Sequence, residues 1–162
     1  MKISKIVLIT ITLLLTVSCA THRNARLAKT SLRGDWQLNT ITYDKQGLYK
    51  INLFDNQPKK CLENSLWHFV VNNASGFYQY QNQGCSDTKQ NFYFSVEQAE
   101  NNPENLSILI KPVDAKRKSS DNHGYRLKLV QLSKDQMRWD MKSHLDGETF
   151  MVHLNFQKIN NK

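Results

Sequence analysis

The side chains with most scope for chemistry in this sequence are its three cysteines. Cys19 follows a short basic start, Met1-Lys2-Ile3-Ser4-Lys5, and an apolar run from Ile6 to Val17. Thr16-Val17-Ser18 then places small residues directly before its thiol. This is the layout of a leader that is cleaved before Cys19, whose sulfur receives lipid. Thr16 departs from the usual pattern, which carries Leu there, and Leu15 stands one place early. The run holds 12 residues, whereas a bilayer-spanning helix needs about 20, so residues 1–18 read as a signal peptide and not as a membrane anchor. A plain secretory signal, or a cytosolic chain with an apolar start, is the alternative.

Cys61 and Cys85 remain as an even pair. In an oxidising compartment that favours a disulfide, with two free thiols as the alternative. Such a bridge would close a loop of about 25 residues and stabilise by roughly 3 kcal/mol in the chain-entropy model. A zinc site fits less well, because no CxxC spacing or paired histidine accompanies the two thiols. The five histidines are scattered. His22 precedes the domain, His68 and His153 fall on outward strand positions, and His123 and His144 lie near turns. No metal site is expected from them. Nucleophile elbows, H-E-x-x-H pairs, P-loops and dinucleotide-type glycine turns are all missing from the sequence. No cofactor and no catalytic residues are expected.

Removing the leader leaves 144 residues, and the formal charge falls from +8 to +6 with Lys2 and Lys5. That length suits one domain with its own core. Outside the cytoplasm a basic surface does not imply nucleic acid. It points to solubility or to anionic lipid and polysaccharide. Residues 19–33 read as a lipidated tether carrying Arg23, Arg26, Lys29 and Arg33, whose charges would sit near lipid headgroups. A merely solvated linker is the alternative.

The elements that must position any site begin at Gly34. From there the chain alternates apolar and polar residues in short runs divided by turn signals. Trp36, Leu38 and Ile41 mark the first run, and Trp67, Phe69 and Val71 the second. Tyr78 with Tyr80, then Phe92, Phe94 and Val96, follow. Leu106, Ile108 and Ile110 alternate before Pro112, which is expected to end that strand. Tyr125, Leu127 and Leu129 form the sixth run, Met137, Trp139 and Met141 the seventh, and Phe150, Val152, Leu154 and Phe156 the eighth. Asn72 to Gly76, Gln83-Gly84, Ser133 to Asp135 and Asp146-Gly147 supply the hairpin turns. No segment shows a convincing amphipathic helical period. Eight antiparallel strands joined mostly by hairpins favour an all-β up-and-down barrel over a sandwich.

Gly34-Asp35-Trp36 opens the first strand, and Cys61-x3-Ser65-x-Trp67-x-Phe69-x2-Asn72-x3-Gly76-x-Tyr78 follows a long first connection. Cys85 comes next, and the last strand ends Phe156-Gln157-Lys158-Ile159. In this order the motifs resemble the lipocalin-like domain found in many bacterial lipoproteins, over about Leu32 to Ile159. The resemblance implies an eight-stranded calyx over residues 34–159 and a Cys61–Cys85 bridge. It also implies that Trp36 packs across the closed end. In lipocalins a basic residue near the last strands stacks on that Trp, and Arg138 and Lys158 are both candidates.

The expected inward set is heavily aromatic: Trp36, Trp67, Phe69, Tyr78, Tyr80, Phe92, Phe94, Tyr125, Trp139 and Phe150, with Leu38, Leu127 and Val152. These rings either line a pocket toward the loop end for a small hydrophobic molecule or pack the lumen solid. With a solid lumen, the expectation becomes an interaction protein that meets an envelope protein or glycan through its loops. The long connection from Tyr43 to Glu63, with Leu48, Ile51, Leu53 and Phe54, is either that surface or a lid on the mouth. Lys116, Arg117 and Lys118, together with the pair Lys59 and Lys60, are candidate anion contacts, and Asp55 and Glu63 flank that pair. No expected inward position is acidic, which argues against a hydrolase. Ala20 after the lipid-bearing cysteine points to the outer membrane of a bacterial envelope.

Overall fold

The computed structural model describes residues 23–45, 52–54, 57–99, 101–119, 123–145 and 147–159. The leader, Cys19, Ala20 and His22 lie outside the described residues, as do Leu48, Ile51, Asp55 and Asp146.

Helix α1 (Arg23–Ser31) precedes strand β1 (Gly34–Tyr43), and a connection with a small hairpin, β2 (Asn52–Leu53) and β3 (Gln57–Pro58), runs into the one-turn helix α2 (Lys59–Leu62). Strands β4 (Leu66–Val70), β5 (Ser75–Gln79), β6 (Gln90–Ala99), β7 (Asn102–Val113), β8 (Tyr125–Leu132), β9 (Gln136–Leu145) and β10 (Glu148–Lys158) complete the chain. Eight strands close a barrel in the order β1-β10-β9-β8-β7-β6-β5-β4, and β4 pairs back onto β1. Every pairing is antiparallel. The expected up-and-down, lipocalin-like barrel is therefore the fold.

Period-two alternation builds it. Inward residues alternate with less buried neighbours, most regularly in β10, where Phe150, Val152, Leu154 and Phe156 are all buried. Ile41 breaks the Trp36–Leu38 phase because β1 shifts register between Leu38 and Thr40, so one extra residue returns the next apolar side chain to the interior. Val130, next to buried Leu129, is exposed on the outer wall by the same alternation, and a shift between Leu129 and Gln131 leaves Gln131 exposed beside it.

Four expectations are corrected. The segment read as a tether contains α1, whose Ala25 and Ala28 are buried against the barrel. Its small apolar residues recur too sparsely among cations to show as a period, and tertiary burial holds the helix. Pro112 does not end its strand. It pairs with Phe92 on the β6 side, and β8 pairing has already stopped at Ile110, so its missing N–H breaks no ladder there. In the turn after β4 the left-handed residue is Ala74, at φ 51°, following a 3-10 turn over Val71–Asn73. Gly76 instead sits within β5, where a Cβ would lie 2.3 Å from the His68 carbonyl oxygen and 2.5 Å from the Phe92 ring.

Candidate functional site

The barrel has two unlike ends. At the closed end, the backbone turns from α1 into β1 and places Trp36 fully inside. Its Nε1 donates to the Leu32 carbonyl oxygen at 2.8 Å, which fixes the ring and buries Leu32 beneath it. Lys158 Nζ sits 4.9 Å from the Trp36 ring centroid and reaches the Ser31 carbonyl oxygen at 3.4 Å. Of the two basic candidates, Lys158 takes this position. Arg138 points to the outer wall, where Nε and Nη2 hold Asp140 at 2.8 and 3.1 Å. His153 Nδ1 joins the same carboxylate at 2.9 Å. Burial alone would raise the Asp140 carboxyl. Hydrogen bonds from Arg138 and His153 outweigh it and hold that acid below its usual range. His68 likewise lies outside the barrel, against Asp35 at 2.6 Å.

The middle of the lumen is a single aromatic cluster around Trp67. Tyr78 stacks on it at 4.4 Å between centroids, Phe92 and Trp139 lie at 5.5 Å, and Phe156 at 5.6 Å. Phe69 bridges to Phe94 at 5.2 Å. Trp67 Nε1 donates to Ser65 Oγ at 2.9 Å, and Ser65 in turn donates to the Leu62 carbonyl oxygen. Trp139 Nε1 has no acceptor among the described residues. Trp36, Trp67 and Trp139 are 0% exposed, and Phe69 and Phe92 are 1% exposed. A water-sized void against these rings would leave part of their surface accessible, so the central lumen is dry core.

The open end is stoppered by the first connection. Phe54, at the tip of the β2–β3 hairpin, is 1% exposed and meets Tyr125 at 5.3 Å, Trp67 at 5.6 Å and Tyr78 at 6.4 Å. Its φ of 43° is in the left-handed region, which disfavours a bulky side chain by roughly 1–2 kcal/mol. The ring contacts hold it there. Tyr80 Oη donates to Gln57 Oε1 behind the hairpin, and burial raises that phenol above its ordinary value. The Cys61–Cys85 disulfide, with Cα atoms 5.7 Å apart, ties α2 to the β5–β6 turn. Asn82 Nδ2 donates to the Glu63 carbonyl oxygen at 2.9 Å beside it. Glu63 Oε1 accepts the Ile41 backbone N–H at 2.9 Å and pairs with Lys59 at 3.5 Å. The described part of the connection, residues 52–54 and 57–63, is thus packed on the mouth as a lid.

Beside Phe54 a cleft of about 200 Å³ opens between the hairpin and the ends of β5, β6 and β7. Phe54, Tyr78, Pro112 and Val113 make its apolar side, and Gln57, Gln90, Asn91, Asp114 and Lys118 its polar rim.

Of the residues expected inside, Trp36, Trp67, Phe69, Tyr78, Tyr80, Phe92, Phe94, Trp139 and Phe150 are buried, and Tyr125 is half-buried at the mouth. Phe150 faces Tyr43 at 6.1 Å, away from the Trp67 cluster. Lys116, Arg117 and Lys118 are exposed on the β7–β8 loop at the open end and do not converge. Lys118 rims the cleft while Arg117 faces the outer wall near Tyr93. Lys59 is drawn over the Tyr43 ring at 5.0 Å, apart from exposed Lys60. Among the described residues no group of three or more His, Cys, Asp or Glu is placed to hold a metal. Phe54 is the residue whose importance the pattern understated. Its one legible signal was an apolar Leu-Phe pair inside a polar connection.

No family model matches the chain, and no curated relative matches it. Among solved structures it is similar to a bovine odorant-binding protein, solved in complex with a selenium-containing odorant. The identity is 11%, the alignment covers 83% of this chain and 74% of that one, and the TM-score is 0.42.

Proposed function

We propose that this protein is a lipid-anchored, non-catalytic binding module of the bacterial envelope, outer membrane in location, that takes a small hydrophobic molecule at the open end of its barrel. The observation that carries the reading is Phe54. An aromatic ring from the β2–β3 hairpin, held in an unfavourable backbone conformation, occupies the mouth and is received there edge-on by Trp67 and Tyr125. The mouth is thus complementary to a planar apolar group. The adjoining cleft sets one apolar side, Phe54, Tyr78, Pro112 and Val113, against a polar rim that could orient a guest. At about 200 Å³ it suits a small planar or short-chain guest, and movement of Phe54 would lengthen it. The anchor rests on the Cys19 context in the sequence.

A second reading is favoured by one observation, the dry packing of the central rings. It is a solid-barrel interaction protein that meets an envelope protein or glycan through its loops. Mass spectrometry of the natively purified protein separates the two. A stoichiometric apolar molecule released on unfolding is the expected result, and Phe54→Ala should raise the yield of bound molecule. A protein empty in both forms contradicts the ligand reading and favours the solid-barrel one.

A further inference from the structure

The closed end carries a surface of its own. Ala28 and Leu32 belong to the barrel core cluster, and Lys29 Nζ lies 5.8 Å from the Phe94 ring, so α1 caps the closed end from below β6 and β7. With 3.6 residues per turn, the face opposite Ala25 and Ala28 presents Arg23, Arg26, Leu27 and Thr30 together, all exposed. Leu27 is 56% exposed, the largest exposure among the hydrophobic side chains described as exposed. Arg23 and Arg26 have no ion-pair partner among the described residues. Arg33, Lys134 and Lys158 add charge at the same end. Against these cations stand Asp35, which His68 engages, Glu104 and Asp135.

We infer that this face of α1 docks on anionic lipid headgroups, with Leu27 entering the interface, so that the closed end lies on the membrane and the mouth beside Phe54 points away from it. Arg23 and Arg26 with Arg33, Lys134 and Lys158 form a basic cluster of the size that anionic headgroups attract, and Leu27 adds one exposed apolar side chain to it. Geometry agrees with it under the anchor reading above, on which this orientation partly rests. Only Ala20, Thr21 and His22 separate Cys19 from Arg23, a span of at most about 14 Å. A helix packed on the barrel through Ala25 and Ala28 cannot then stand far from the bilayer. The tether has become a foot.

The test uses the natively processed chain with nitroxide labels at Leu27→Cys or Lys118→Cys. The labelled protein is reconstituted on vesicles of phosphatidylethanolamine with phosphatidylglycerol, and separately on phosphatidylcholine. Label depth and the acyl mass of the chain are read separately. On the phosphatidylglycerol vesicles the Leu27 label should lie at headgroup depth and the Lys118 label in water. Arg23→Glu with Arg26→Glu, or molar salt, should return the Leu27 label to water. An acylated chain whose Leu27 label stays aqueous, or whose Lys118 label is the deeper one, overturns the inference and leaves the anchor standing. Equal depth on phosphatidylcholine also overturns it, since anion recognition is its basis. A chain without acyl mass whose Leu27 label still finds phosphatidylglycerol supports it while removing the anchor.

Discussion

Trp67 and Trp139 are equally buried, yet their indole N–H groups are treated differently. Trp67 donates to Ser65 Oγ, whereas Trp139 Nε1 lacks an acceptor among the described residues. Removing the first donor leaves a buried hydroxyl under-satisfied, while removing the second relieves a buried group of the kind that costs about 1–3 kcal/mol. Trp67→Phe should therefore destabilise by at least ~1 kcal/mol more than Trp139→Phe, read as urea midpoints at unchanged m. Equal shifts would contradict the difference. Asp140 sets a pH prediction on the outer wall. Its folded pKa is depressed, so its contribution is present above the ordinary value of 3.8 and is lost as pH falls through the folded value below it. Asp140→Asn should flatten the fall of stability in that acid window, measured by thermal unfolding across pH; an unchanged acid slope would contradict it. At this scale the sequence was partly legible. The outward phase of His68 and His153 could be read from alternation, but their carboxylate partners come from other strands, and pairing register is not written in a local pattern.

Strand by strand, alternation carried the fold, because a one-residue slip would move a whole apolar set to water. The elements it missed are those not held by alternation. Helix α1 is stabilised by docking two alanines, Phe54 by a ring cluster assembled from β4, β5 and β8, and Pro112 by the early end of β8 pairing. None of these leaves a periodic trace. Gly76 belongs here too. It was legible as a turn residue, but its role is to let the Phe92 ring and the His68 carbonyl approach β5. Gly76→Ala should therefore destabilise by about 1–3 kcal/mol, as overpacking does, and disturb the near-ultraviolet signal of the aromatic cluster. A neutral substitution would show that β5 can shift aside.

At the scale of the whole molecule, one closed meander divides its work between two ends and a core. The core is solid, the closed end is sealed by α1 and Trp36, and the open end is stoppered by a hairpin stapled through Cys61–Cys85. Breaking that staple should cost about 3 kcal/mol for a loop of this length, and the loss should appear as a lowered thermal midpoint on reduction. The aromatic lining was legible from sequence, but whether it enclosed space was not, since void volume depends on how rings from different strands interlock. On the proposed function, guests are taken at the mouth and the deeper rings serve as core. The direct measurement is an NMR titration of the protein with N-phenyl-1-naphthylamine, a planar apolar probe. Perturbations confined to Phe54, Tyr78, Gln90, Asn91 and Val113 to Lys118 are the predicted result. Perturbations centred on Trp36, Phe94 or Trp139, or saturation without any at the mouth, would contradict it.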